Sequence, residues 1–201
     1  MYTLYHFPYS QHGRRIVSLL EEANIPYQIK HVAMDQGEHR SPAFLDINPN
    51  HQIPVLEGDD FRLCESNAIL RFLCNEHGLT SWYPDDSRER AIVDQWLDWN
   101  QCRLASSVVD VVLNKVFLGE NGDQAAISRG EQQLAEVLPI LESGLQRTDY
   151  LAGDAPTIAD LSVASNIFQL GLAEVGVSGK TEAWYQRVMA LRGVQKSLPR
   201  A

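Results

Sequence analysis

The chain has 201 residues, 44% hydrophobic and 21% charged, with a formal net charge of −9. That is enough core material for one large globular domain or two small ones. The acidic balance excludes a general nucleic-acid or membrane-surface binder, which presents a basic face, yet it leaves room for a local cationic pocket. No apolar run approaches bilayer-spanning length, and the opening MYTLYHF lacks the charged-then-apolar layout of a secretory signal. Cys64, Cys74 and Cys102 have no CxxC spacing, so neither a disulfide framework nor a zinc site is expected. The expected setting is a reducing cytoplasm, with no metal, no membrane and no nucleic-acid partner.

The first part alternates strands and helices. Residues 1–7 are β-rich, and Ile16, Leu19, Leu20 and Ala23 form the apolar stripe of an amphipathic helix over Gln11 to Ala23. A second strand follows from Tyr27 to Val32. Ser41 stands as N-cap and Pro42 at the first position of a short helix. Val55 to Glu57 and Phe61 to Cys64 then read as a hairpin, followed by a helix from Ser66 to about Glu76. This β-α-β-α-β-β-α order predicts parallel pairing of the first two strands and an antiparallel final pair. Residues 78–87 are turn-rich and read as a linker. Beyond them only long helical patterns remain: Arg88 to about Leu118, about Ala125 to Arg147 with a kink expected at Pro139, Thr157 to about Ala173, and Thr181 to about Leu191. The expected domains are therefore 1–77, α/β, and 88–201, all-α. All six histidines fall in the first 77 residues, too scattered for a metal motif.

Three places in the first part could carry chemistry. A proline before a core strand, in Ile53-Pro54, fits only a strand's first position. If cis, that bond would expose the Ile53 backbone to an extended peptide, although base rates favour an ordinary trans proline. Glu65 and Ser66 stand where a strand meets a helix N-terminus. There the free amides and the Ser66 hydroxyl suit a carboxylate and Glu65 suits an ammonium group, the alternative being a plain cap beside a solvated acid. Ser10, between the first strand and first helix, either caps that helix or donates to an anion docked there. If the anion is a thiolate, such a bond lowers the thiol pKa. No G-x-S-x-G elbow frames Ser10, so it is not read as a nucleophile. In the helical part, Thr157 and Asp160 have capping-box spacing, a structural feature.

The order of these features resembles the cytosolic glutathione S-transferases along nearly the whole length. The resemblance rests on 10-SQHGRR-15, 35-DQGEHRSPAFLDINPNHQIPVLE-57, 65-ESNAIL-70, 82-WYP-84, 92-IVDQWLDW-99 and 157-TIADLSVA-164. The Ser with an Arg four residues on, the GEH triplet and the WYP segment are most similar to theta-like and related bacterial members of serine type. The resemblance implies a thioredoxin-like N-terminal domain, an all-α C-terminal domain, a homodimer, and transfer of glutathione to a small hydrophobic electrophile in detoxification. It implies that Ser10 donates to the glutathione sulfur and that His39, Arg40 and Gln52 approach the glycine carboxylate. Ile53, before a cis-Pro54, would pair with the cysteinyl backbone, and Glu65 and Ser66 would hold the γ-glutamyl end. Residues near Phe7, Tyr9 and His12 and the helix containing Trp96, Trp99, Asn100 and Arg103 would line the electrophile pocket, with Trp96 and Trp99 read first as core or dimer contacts.

Some features depart from the family pattern. Phe7 stands where thiol-exchanging relatives have Cys, which argues against protein-thiol chemistry. His12 stands where some bacterial relatives have Asn. The chain ends soon after 194-VQKSLPRA-201, without the segment that covers the electrophile site in vertebrate theta-like members, so an open site is expected. The alternatives are a non-catalytic interaction module of the same fold, or a glutathione-dependent peroxidase, disulfide reductase or dehalogenase using the same residues.

Overall fold

The β-rich start forms strand β1 (Tyr2–His6), and Ser10 caps helix α1 (Gln11–Glu22). The computed structural model describes residues 1–199. Strand β2 (Tyr27–His31) lies parallel to β1, as the intervening helix requires. Helix α2 (Pro42–Leu45) starts at Ser41, whose hydroxyl accepts from the Phe44 N–H at 3.2 Å. Strands β3 (Val55–Glu57) and β4 (Arg62–Cys64) form the expected antiparallel hairpin, and α3 (Ser66–Glu76) follows. The sheet order is β2-β1-β3-β4, with β3 antiparallel to β1.

Period-two alternation divides the buried side chains between the sheet's two faces. Tyr5 and Val55 pack with Val32, Phe44 and Ile53 in one cluster. Their neighbours Leu4 and Leu56 point to the other face and are fully buried, like Ile16, Leu19 and Leu20 of α1 and Ile69, Leu70 and Leu73 of α3. Each such side chain contributes about 2 kcal/mol.

The chain divides into two units, 1–80 with the end of the chain from Ala190, and 81–189. The last helix, α9 (Arg192–Ser197), thus belongs with the sheet, where the sequence pattern grouped it with the helices. Its attachment is polar and long-range in sequence: Arg192 donates to the Glu21 carbonyl and the Asn24 side chain, the Gly193 N–H to Glu22, and Ser18 to Ser197. Gly193 lies so close to the Ser18 carbonyl that a Cβ would collide with it. A six-residue helix shows no periodicity that would reveal this partner. Arg200 and Ala201, the end of the predicted helical domain, lie outside the described residues.

The second unit is helical. The pattern over Arg88–Leu118 resolves into α4 (Ser87–Trp99), a π segment (Asn100–Leu104), α5 (Ala105–Val112) and a second π segment (Leu113–Phe117). Helix α6 (Gln124–Gly144) runs on through Pro139, which is exposed. Helices α7 (Ile158–Leu172) and α8 (Gly179–Met189) complete the unit. Tyr83 of the predicted linker is buried; its hydroxyl donates toward Asp94 at 3.1 Å, and the Trp82 carbonyl accepts from Ile158. Among the described residues no helix is long and apolar enough to cross a membrane.

The Thr157–Asp160 capping box is present and larger than its sequence signature. The fully buried Asp160 carboxylate accepts from the Thr157 N–H (2.8 Å), the Thr157 hydroxyl (3.0 Å), the Leu151 N–H (2.9 Å) and the Trp184 indole N–H (2.8 Å). Burial pushes its carboxyl above the ordinary aspartate range, opposed by those bonds. Asp160→Ala would leave several buried donors without an acceptor, each costing about 1–3 kcal/mol. We expect a loss of at least about 3 kcal/mol and a melting temperature lower by about 10 °C. Calorimetry checks this, and a loss within about 0.5 kcal/mol would reduce the box to a surface cap.

Candidate active site

Strand directions bring the residues singled out by the sequence to one edge of the sheet. β1 and β4 end there and β3 begins there, since Tyr5 pairs with Val55 and Val55 with Cys64. The chain therefore leaves β1 at Phe7 beside its entry to β3 at Ile53, and leaves β4 at Glu65 beside Pro54. Phe7 and Cys64 both pack on the cluster that contains Ile53. A loop and a helix N-terminus follow each outgoing strand, an arrangement suited to anions.

Ser10 stands between the two roles posed by its sequence position. Its Oγ accepts from the Gly13 N–H at 3.1 Å, a helix-capping bond. A hydroxyl has one donor and two acceptor positions, so this bond leaves the Ser10 proton available to a second partner. The turn is held by Ser10 N–H donating to the Phe7 carbonyl at 2.9 Å. Gly13 is required here: a Cβ would run into the imidazole of His6.

Ile53-Pro54 is a cis bond. Both residues are buried, and neither the N–H nor the C=O of Ile53 is hydrogen-bonded among the described residues. The loop before them is fastened by buried Asn48, whose side-chain amide donates to the Gln52 carbonyl at 2.7 Å while its oxygen accepts from the Asn50 N–H. The Gln52 side chain is exposed. His39, half-buried, and Arg40, exposed, lie on a 3₁₀ turn (Glu38–Arg40) tied down by Glu38, which accepts from the Ala33 N–H at 2.7 Å. Partial burial and then the charges of Arg40 and His51 hold His39 below the ordinary histidine range, so His39, Arg40 and His51 form one basic cluster.

Glu65 and Ser66 open α3. Glu65 has φ +69°, a left-handed conformation that costs a non-glycine residue about 1–3 kcal/mol; its carboxylate is exposed and makes no capping bond. Ser66 is buried. Its Oγ accepts from Nη1 of Arg15 at 3.4 Å, and the same nitrogen reaches Asn67 Oδ1 at 3.3 Å. No local sequence pattern assigns a role to Arg15 or Asn48. The available signal for Arg15 was a cation four residues before Leu19, on the apolar stripe of α1.

Four basic side chains crowd this end of the sheet. Arg14 and Arg15 are buried. Burial, then the neighbouring Arg14 charge, pulls Arg15 down to about 9, which leaves it cationic at neutral pH. His12 is pushed down to about 3 by burial and then by Arg15 and Arg14. His6 is pushed down to about 4 by burial, Arg14 and His31. Both imidazoles are therefore neutral at physiological pH. On the helical segment expected to line the electrophile pocket, the Asn100 side chain turns into the helical core. It is fully buried, donating to Ser162 Oγ at 2.9 Å and accepting from Asn166 at 2.8 Å, inside the helical unit. Trp96 is core, packed where Gly144 has no Cβ and edge-on to Trp99 with centroids 5.2 Å apart. Among the described residues no group of three or more His, Cys, Asp or Glu could hold a metal ion.

A thioredoxin-like α/β unit followed by a helical unit defines the class of protein. Family models agree: that of the glutathione S-transferase N-terminal domain matches residues 1–75, and that of the C-terminal domain matches residues 124–190. The chain is 34% identical to glutathione S-transferase theta-1 of Mus musculus over 193 residues, 92% of this chain and 80% of that one. It is 34% identical to glutathione S-transferase F10 of Arabidopsis thaliana over 80% of this chain and 76% of that one. The human glutathione S-transferase T1-1 structure, apo form, superposes with a TM-score of 0.90 at 30% identity, covering 98% of this chain and 87% of that one. The chain belongs to the glutathione S-transferase family and is a glutathione transferase.

The neutral state of buried His6 has a consequence for stability. Its folded value of about 4 lies below its unfolded value of ~6.5, so between them the unfolded chain binds more protons. Its stabilising contribution is complete above pH ~6.5 and is lost as pH falls through about 4, with a ceiling of about 3 kcal/mol. Urea unfolding at a series of pH values is expected to show this fall, and His6→Gln to flatten it. An equal fall in the variant would assign it to other groups.

Proposed function

We propose that the protein uses glutathione as co-substrate and that the Ser10 hydroxyl donates to its sulfur, holding it as the thiolate that attacks a small hydrophobic electrophile. The observation that carries this is the capping bond from Gly13: it fixes the Ser10 oxygen at the start of α1 and leaves its proton to donate. The positive end of α1 and the buried Arg14 add to the field that favours an anion there. Neutral His12 contributes no charge.

The tripeptide's remaining groups have matching partners. The Ile53 backbone, unpaired among the described residues, offers a donor and an acceptor to the cysteinyl unit beside cis-Pro54. Basic His39 and Arg40, with Gln52, suit the glycine carboxylate. Ser66 at the α3 N-terminus suits the γ-glutamyl carboxylate, and exposed Glu65 suits its amine. Phe7 offers no thiol, so the sulfur chemistry belongs to glutathione alone. The reading includes a homodimer working in the cytoplasm, after the family pattern.

Replacing Ser10 by Ala removes one hydrogen bond to an ionised partner. The turnover of an activated haloarene should fall about 10- to 100-fold. The pH–rate midpoint should rise by about 1–2 pH units while retention on immobilised glutathione persists. An unchanged rate and midpoint would remove Ser10 from the mechanism.

A further inference from the structure

Ser66 can donate to a ligand only if its proton is not drawn into the protein. What lies behind it decides this. Arg15, with no exposed surface, presents Nη1 to both Ser66 Oγ and Asn67 Oδ1. Guanidinium carries only donors. Facing it, the Ser66 oxygen must accept, and its O–H is directed elsewhere. The Asn67 side chain is fixed likewise, with its oxygen toward Arg15. The cation also lies under the first turn of α3, where its charge adds to the positive end of an eleven-residue helix. At about 9, its pKa leaves it protonated at neutral pH.

We infer that Arg15 is a positioning residue for the carboxylate-binding end of the site: it orients the Ser66 hydroxyl as a donor and places a buried positive charge behind it. This rests on the reading that Ser66 holds the γ-glutamyl carboxylate of glutathione. Arg15 itself does not touch the ligand; it acts through Ser66 and through the field. Ser10 and Ser66 are then built alike, each oxygen held from behind by a nitrogen donor, Gly13 N–H in one case and Arg15 in the other.

The test is a comparison of two ligands by titration calorimetry on the full-length protein. One is glutathione; the other is 4-aminobutyryl-cysteinyl-glycine, which lacks only the α-carboxylate of the γ-glutamyl residue. Arg15→Met should weaken glutathione binding about tenfold while changing the analogue's affinity less than twofold. Ser66→Ala should do the same, and the double variant should be no worse than the weaker single one. Equal weakening of both ligands by Arg15→Met would show a merely structural role and overturn the inference, as would additive effects. If Arg15→Met does not fold, Arg15→Lys serves. It keeps the charge without the fork, and should lose about threefold for glutathione alone; no loss, or an equal loss for both ligands, would overturn the inference. Should Ser66→Ala leave glutathione affinity untouched, the underlying assignment of Ser66 fails, and an Arg15 effect confined to glutathione would then have to act by charge alone.

Discussion

Antiparallel pairing of β3 against β1 is the constraint on which the proposed site depends. Were β3 parallel to β1, its start would lie at the opposite edge, and Ile53 would be a sheet's length from Ser10. With Tyr5 opposite Val55 and Val55 opposite Cys64, the end of one strand, the start of the next and the end of the third meet. Loop residues separated by more than forty positions in the chain become neighbours without any of them stabilising the meeting. The buried face carried by Leu4, Leu56 and the stripes of α1 and α3 supplies that stability. The edge is thereby released for binding, and it tolerates a left-handed Glu65 that a mere connection would not need.

The second recurring element is the hydroxyl with its acceptor side occupied. At Ser10 the occupant is a backbone amide and at Ser66 a guanidinium. Both leave the proton for an anion, and both lie at helix N-termini whose dipoles favour one. A chain with net charge −9 thus keeps a compact cationic region at the start of α1, made of buried Arg14 and Arg15. Burial holds His6 and His12 neutral within it, which limits the repulsion among its cations.

Local chemistry explains which parts could be read from the sequence. Strand β3, helix α3 and the Ser41-Pro42 helix start coincide with their sequence readings because each is announced by residues next to it. The capping box was visible from Thr157 and Asp160, but not the Leu151 and Trp184 donors that make Asp160 a buried hub. Helix α9 was misgrouped because its anchors, Glu21, Glu22 and Asn24, lie some 170 positions away. The π segments at Asn100 and Leu113 are equally silent, since no residue type next to them announces a local i→i+5 turn. Within the site, Ser10, Ile53 and Ser66 were marked by the turns they occupy. Arg15 was not, because a cation within an apolar stripe acquires meaning only when the helix beside it is known.

The central claim is that this site ionises a thiol that the protein does not own. Ultraviolet difference titration of glutathione bound to the unmodified protein tests it most directly, since the thiolate absorbs and the thiol does not. The account predicts a bound sulfur that ionises at least one pH unit below its free value of about 8.5. A bound thiol that titrates as it does in solution would contradict it.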